Sequence, residues 1–230
     1  DLEFEIRMKD TREVTDIFIP GLYVEENGMI DGYLLYPERR VKTRVSIPVL
    51  DYMGIYTDSL KMTAFADKGI IGLELGTDRI ILKERQRDDT LQLGLENFAI
   101  GCGIADDSLK FDIRWDDRDA RLHNKANLTG YFTYIDSIRS ILHFNRAEMF
   151  INDSLWTISP DNMLIFGPRY YYFRDLAFVG GKQKLDISGV ISESPEDTLK
   201  LDFERWRLSN FDILFTNYNF DLNGITNGYF

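Results

Sequence analysis

Strict alternation of apolar and polar residues is the feature that most constrains how this chain can fold. In the segment from Leu109 to Trp115, every second residue is apolar and the residues between them are Lys, Asp and Arg. Neighbouring side chains on a β-strand point to opposite faces, so such a segment forms a strand with one apolar and one charged face. Strands of this kind are typical of antiparallel sheets, because parallel strands are buried on both faces and are apolar throughout. The same alternation runs through Leu91, Leu93 and Leu95, through Leu185 and Ile187, and through Leu199, Leu201 and Phe203.

Helical patterns are few. Asp10–Ile17 and Asn210–Phe215 could each form one or two helical turns, with Asp10 and Asn210 as N-caps. The sequence therefore predicts a mainly β, elongated antiparallel fold with one or two short helices.

Composition excludes several function classes. The chain has 44% hydrophobic and 28% charged residues among 230, which is an ordinary globular composition. Lys and Arg number 27 against 38 Asp and Glu, a net charge of −11, and a chain this acidic repels the phosphates of nucleic acids. A single cysteine, Cys102, excludes an internal disulfide framework and a cysteine-based zinc site.

No stretch predicts a membrane-spanning helix. The uncharged apolar runs Ile17–Val24 and Phe98–Ala105 have eight residues each, and no uncharged run exceeds ten, whereas a bilayer crossing needs about 20. The chain begins at Asp1 without a Met or a basic and apolar leader, so we expect a segment cut from a longer precursor. No linker divides it, and we expect residues 1–230 to form one continuous β-rich segment.

Residues that could carry catalysis are sparse. His123 and His143 lie in no metal-binding spacing, and Gly101-Cys102-Gly103 is a lone pair of glycines within an apolar run. Asp116, Asp117 and Asp119 could bind calcium, but interleaved arginines compete for these carboxylates. We therefore predict a protein that is not an enzyme and has no catalytic residue, metal site or cofactor.

An aromatic run, Tyr170–Phe173, offers an alternative function. Such side chains could stack on sugars, which would make the chain a carbohydrate-binding β-sandwich module of a surface or periplasmic protein. Alternation along a strand would instead turn half of these rings into a core.

The apolar faces themselves have two interpretations. They could form the closed core of a sandwich, or a long open trough whose natural ligand is an acyl chain, since apolar contacts need no specific polar partner. The candidate residues for such a lipid groove are Leu91, Leu93, Leu95, Leu109, Phe111, Ile113, Leu185, Ile187, Leu199, Leu201 and Phe203.

The second half of the chain carries a resemblance to a known family. Ile151–Ile158, which reads IND-x-x-W-x-I with Asn162 following, resembles a segment of TamB-like proteins of Bacteroidetes-type bacteria. Gly181–Ser192, Asp197–Leu199 and Leu222–Gly228 are similar to the strand patterns that follow in that family. The match is best over about residues 140–230.

This resemblance implies a fold and a function. The family belongs with the AsmA-like, bridge-like lipid transfer proteins, and membership implies an open, U-shaped β-sheet, or β-taco, with an apolar inner groove. It implies a periplasmic protein whose parent chain is anchored in the inner membrane by a helix absent from this sequence. The implied roles are phospholipid transport and outer-membrane biogenesis, with acyl chains as ligands and an Omp85-type outer-membrane barrel as a partner of the parent translocation and assembly module.

Overall fold

The structure, a computed structural model, describes residues 1–9, 11–82, 93–105, 107–117, 124–151, 154–210 and 222–230. It is mainly β, every pairing given between its strands is antiparallel, and the predicted fold class is confirmed. The chain forms two compact units, residues 1–127 and residues 128–230. The expectation that residues 1–230 belong to one segment of a larger protein stays a prediction.

Unit 1 is a sheet of long strands joined mainly by short turns. Its pairing order is β1-β3-β4-β5-β6-β7-β8, and β2 pairs with the end of β4 that β3 leaves open. The described strands are β1 (Leu2–Arg7), β2 (Leu22–Val24), β3 (Met29–Leu35), β4 (Arg40–Tyr52), β5 (Ile55–Asp67), β6 (Ile70–Leu82), β7 (Leu93–Ala105) and β8 (Ser108–Asp117). A further strand, β9 (Asn124–Tyr134), contains the residues at which the two units divide.

One short helix, α1 (Arg12–Phe18), lies between β1 and β2. It confirms the helix predicted near Asp10–Ile17, but its N-cap is Thr11, whose side chain makes no capping hydrogen bond. The hydroxyl of Thr15 instead donates to the carbonyl of Thr11. Of the second predicted helix, Asn210–Phe215, only Asn210 is described, at the end of a 3₁₀ turn over residues 208–210, and residues 211–215 lie outside the described part of the chain.

Unit 2 is also antiparallel. Its strands pair in the order β10-β11-β13-β14-β15-β16, and β12 lies between β10 and β13 beyond the end of β11. They are β10 (Ser140–Ile151), β11 (Ser154–Ile158), β12 (Met163–Gly167), β13 (Tyr170–Gly180), β14 (Gln183–Ile191), β15 (Leu199–Arg207) and β16 (Ile225–Tyr229).

The junction between β11 and β12 is held by one buried side chain. Asn162 is 1% exposed, and its amide oxygen accepts from the N–H of Phe144 at 2.9 Å while its amide nitrogen donates to the carbonyl of Phe144 at 2.8 Å. The same nitrogen lies 2.6 Å from the carbonyl of Ser159. Because an interrupted strand leaves main-chain groups of its neighbour unpaired, Asn162 replaces the missing strand residue.

The packed core of the described residues lies in unit 2. Trp156, Phe203 and Trp206 are buried together, with ring centroids of the two tryptophans 5.3 Å apart and those of Phe203 and Trp206 5.9 Å apart. The partly buried side chains around them are Met149, Phe178, Leu185 and Leu201. Edge-to-face aromatic pairs of this kind stabilise a core beyond the area that they bury.

Candidate functional site

The apolar face of the unit 1 sheet is the main candidate site. Residues that pair directly across an antiparallel sheet lie on the same face, so pairing defines rows of side chains that cross the strands. Three such rows cross the same seven strands, which are β1 and β3 to β8. The first is Ile6, Ile30, Val45, Met62, Leu75, Ile100 and Ile113; the second is Phe4, Gly32, Thr43, Ala64, Leu73, Cys102 and Phe111; the third is Leu2, Leu34, Val41, Ala66, Ile71, Ile104 and Leu109.

Much of this face is open to solvent. Five of the seven side chains in the third row are exposed, and Leu2 and Ile71 each keep 57% of their accessible surface. Side chains of the first row, apart from the exposed Ile6, are half-buried. A contiguous apolar patch of this extent is uncommon on a monomeric protein and indicates a binding surface.

The middle row contains the smallest side chains of the three rows. Gly32, Thr43, Ala64 and Cys102 are smaller than the branched or long side chains that flank them. The row is not low throughout, because it also contains Phe4, Leu73 and Phe111, and the Phe4 ring lies over Gly32.

A row of backbone irregularities, here called bulges, crosses the strands beyond the first apolar row, and the strand register is the same on both sides of it. Ser59 in β5 and Asn97 in β7 have positive φ angles of 56° and 48°, and the ladder skips the pairs that each would form with Asp78 of β6. The Asn97 side-chain amide donates to the carbonyl of Asp116 at 2.9 Å, and the Thr77 hydroxyl donates to the carbonyl of Asp58 at 2.5 Å. Polar side chains thus satisfy main-chain groups where the ladder is interrupted.

The sequence pattern changes phase at the same place. In β7 the apolar residues are odd-numbered up to Leu95 and even-numbered from Ile100 onward, and in β5 the phase changes between Ile55 and Leu60. Beyond a bulge residue, the side chains of the strand change faces. A shift of the apolar pattern by one residue at the same place moves the apolar residues back to the original face. The two changes offset each other, so the apolar residues stay on one face. The row beyond the bulges is Val24, Leu50, Thr57, Ile80 and Leu95.

The predicted groove residues fall into two sets. Leu95, Leu109, Phe111 and Ile113 belong to the rows of unit 1; Leu93 begins β7, and Leu91 lies outside the described residues. Four of the five predicted residues of unit 2 pair with one another, Leu185 with Phe203 and Ile187 with Leu201, and the fifth, Leu199, pairs with Gly189. Phe203 is 8% exposed and belongs to the aromatic core, so this second set surrounds a packed cluster.

Sequence reasoning missed the apolar residues of β3 to β6. Their signal is present in the sequence as the alternating segments Val41–Ile47 and Ile71–Leu75. The small residues of the middle row interrupt this pattern, and only the strand register shows that they are surrounded by aliphatic side chains.

The opposite face of unit 1 is charged. The Arg44 guanidinium donates to a carboxylate oxygen of Asp31 at 2.8 and 2.5 Å, and this hydrogen-bonded pairing raises the pKa of Arg44. Arg114 lies 3.6 Å from Asp112, and Arg7 lies 2.6 Å from Glu5. Exposed pairs like these contribute little to stability, but they make this face water-compatible.

Two of the residues considered for catalysis, His143 and Cys102, lie in different units, in β10 and β7. His143 packs its ring 5.1 Å from that of Tyr131 and lies within 2.5 Å of the Asn162 carbonyl, and Cys102 lies in the middle apolar row. His123 and Asp119 are outside the described residues. In the part of the chain that is described, no group of three or more His, Cys, Asp and Glu side chains could hold a metal ion.

The aromatic run Tyr170–Phe173 forms the start of β13. Tyr171 is exposed and pairs with Phe166, whereas Tyr172 and Phe173 are half-buried and pair with Ile165 and Leu164. The run is therefore divided between the two faces of the strand, as its alternation predicts.

No described helix has the length and apolar character needed to cross a bilayer. Searches of family models, curated proteins and solved structures find no match for this chain. The resemblance to TamB-like proteins therefore stays a prediction.

Proposed function

We propose that this chain is a non-enzymatic segment of a groove protein, and that the apolar face of unit 1 binds the acyl chains of phospholipids. The observation that carries the proposal is the unbroken first row, in which seven aliphatic side chains on seven neighbouring strands pair directly with one another. Each methylene group buried against such a row contributes about 0.8 kcal/mol without any polar partner.

The dimensions of the rows support this ligand. Neighbouring strands are about 4.8 Å apart, so a row that crosses seven strands extends over roughly 29 Å. The hydrocarbon core of a bilayer is about 30 Å thick, so the acyl chain of one leaflet covers about 15 Å. One row is thus long enough for an extended acyl chain and leaves space along which the chain could move.

The resemblance described above extends the proposal to the parent protein. In this extension the chain lies in the periplasm as part of a larger inner-membrane-anchored protein with a U-shaped sheet. It carries phospholipid between the two membranes or supports outer-membrane protein assembly, with an Omp85-type barrel as a partner.

Photocrosslinking from opposite faces of one strand tests the proposal. Met62 and Lys61 are neighbours in β5, and their pairing partners, Leu75 and Gly76, place them on the apolar and the charged face. After expression in a bacterial host, Met62→p-benzoylphenylalanine should give a phospholipid adduct by mass spectrometry on irradiation, and Lys61→p-benzoylphenylalanine should give little. Equal yields at both positions, or no lipid adduct at Met62, would contradict lipid binding. Adducts to a second copy of the chain would identify the apolar face as a protein interface instead.

A further inference from the structure

The charged face of unit 1 contains a cleft that the lipid proposal does not use. Its central part, with a volume of about 470 Å³, is bounded by Lys61, Thr63, Glu74, Asp112 and Arg114. Two further parts, of about 390 and 520 Å³, continue it across β4, β3 and β1. The 390 Å³ part shares Lys61 and Thr63 with the central part, and the 520 Å³ part shares Asp31 and Arg44 with the 390 Å³ part. The three parts form one continuous depression across the strands.

Small residues form the floor of the central part. Gly76, Ala99 and Gly101 lie among the longer charged side chains, and a Cβ atom added at Gly101 would have no heavy atom within 4 Å. The open space above this backbone is therefore bordered by charged groups rather than filled by them.

Both signs of charge occur along the cleft. From β1 to β8, the carboxylates of Glu5 and Asp31 are followed by Arg44 and Lys61, and these by Glu74, Asp112 and Arg114. A polyanion would be repelled by the carboxylates and a polycation by the cations, because like charges at short range cost free energy. A neutral hydroxyl can donate to a carboxylate and accept from a cation, so a chain of hydroxyl groups matches both kinds of neighbour.

We propose that this cleft binds a neutral oligosaccharide that lies across the strands of unit 1. Strands repeat about every 4.8 Å, which is close to the repeat of an extended glycan, so successive sugar units would lie over successive strands. The site is distinct from the Tyr170–Phe173 run, and it is on the opposite face of the sheet from the apolar rows. A test of glycan binding in the cleft can therefore give a negative result while lipid binding to the apolar rows is confirmed, and the reverse.

A glycan panel with two matched leucine variants tests the site. Gly101→Leu fills the floor of the cleft, whereas Gly103→Leu adds the same side chain two residues further along β7, where it lines none of the three parts. Neither glycine has a positive φ angle, so both variants should fold.

The wild-type chain should bind one or more neutral β-linked oligosaccharides, such as chito- or cello-oligosaccharides, in calorimetry. Gly101→Leu should weaken that binding on the order of tenfold or more, and Gly103→Leu should leave it within about twofold. Lys61→Ala and Glu74→Ala provide the same test without added bulk and should each weaken binding. Binding to none of the neutral glycans, binding to anionic glycans only, or equal losses in both leucine variants would overturn the proposal.

Discussion

Asn162 shows how much one side chain can contribute where a strand is interrupted. Its amide pairs with both main-chain groups of Phe144 while the side chain is almost fully buried. The sequence marked this residue only as part of a family pattern. Its structural role explains why an amide, which both donates and accepts, is required at this position.

Asn162→Ala should therefore destabilise unit 2 by about 3 kcal/mol, because it leaves a buried N–H and a buried carbonyl unpaired. The measurement is urea-induced unfolding followed by tryptophan fluorescence, since two tryptophans lie in the unit 2 core. Asn227→Ala is the matched control, because exposed Asn227 accepts a single bond from the N–H of Arg205 and should cost about 1 kcal/mol or less. Equal effects of the two variants would contradict the role of Asn162.

Asp136 lies at the turn between β9 and β10, and its contribution to folding stability depends on pH. Its carboxylate accepts from the N–H of Ile138 at 3.0 Å and from the Arg139 guanidinium at 2.8 Å, and these bonds lower its pKa. Because the folded pKa lies below the unfolded value of about 3.9, the contribution is complete above that value and is lost as the pH falls through the folded pKa. Asp136→Asn should flatten the dependence of the urea midpoint on pH below about pH 4. A variant that keeps the wild-type slope would show that this carboxylate does not contribute.

The β-strands of unit 1 depend on the bulges for a continuous apolar face. Asn97 adopts a left-handed backbone conformation that costs most residues about 1 kcal/mol but not glycine. Its side chain also bonds to the carbonyl of Asp116. Both properties are local, yet together they determine which face of β7 the residues beyond the bulge occupy.

Comparing Asn97→Gly with Asn97→Ala isolates the backbone effect, since both variants lose the amide. The glycine variant should be more stable than the alanine variant by about 1 kcal/mol in urea unfolding, because only alanine is strained at a φ angle of 48°. Equal stabilities would mean that the bulge does not persist in solution.

The two sets of predicted groove residues differ in how they are packed. Phe203 is buried in the aromatic cluster of unit 2, whereas Phe111 is half-buried in the middle row of unit 1. Phe203→Ala should lower the free energy of unfolding by about 3–5 kcal/mol, which is the range for a packed core. Phe111→Ala should lower it by about half as much, because fewer contacts are lost. Comparable losses at both positions would favour a closed core in unit 1 and would weaken the groove proposal.

At the level of the whole molecule, the net charge of −11 affects how a lipid-binding chain meets a membrane. Acidic proteins are repelled by anionic surfaces over about 30 Å at 0.01 M salt but over only about 8 Å at 0.15 M. The chain should therefore take up fluorescent phospholipid more slowly from phosphatidylglycerol vesicles than from phosphatidylcholine vesicles at low salt. The difference should shrink at 0.15 M. A preference for anionic vesicles at low salt would show that a local basic surface, rather than the net charge, controls the encounter.

The sequence by itself determined the fold class and part of the apolar face. Alternation from Leu109 to Ile113 and from Leu199 to Phe203 is sufficient to predict antiparallel strands with one apolar side, because side-chain direction in a strand follows residue number. It could not show that Leu109 and Leu95 lie on either side of a row of bulges, since a bulge depends on main-chain conformation. Nor could it separate the open rows of unit 1 from the packed cluster around Phe203, because both have the same pattern. Only the tertiary structure decided this, since burial depends on which side chains from distant strands lie over a residue, and the strand register brings those residues together.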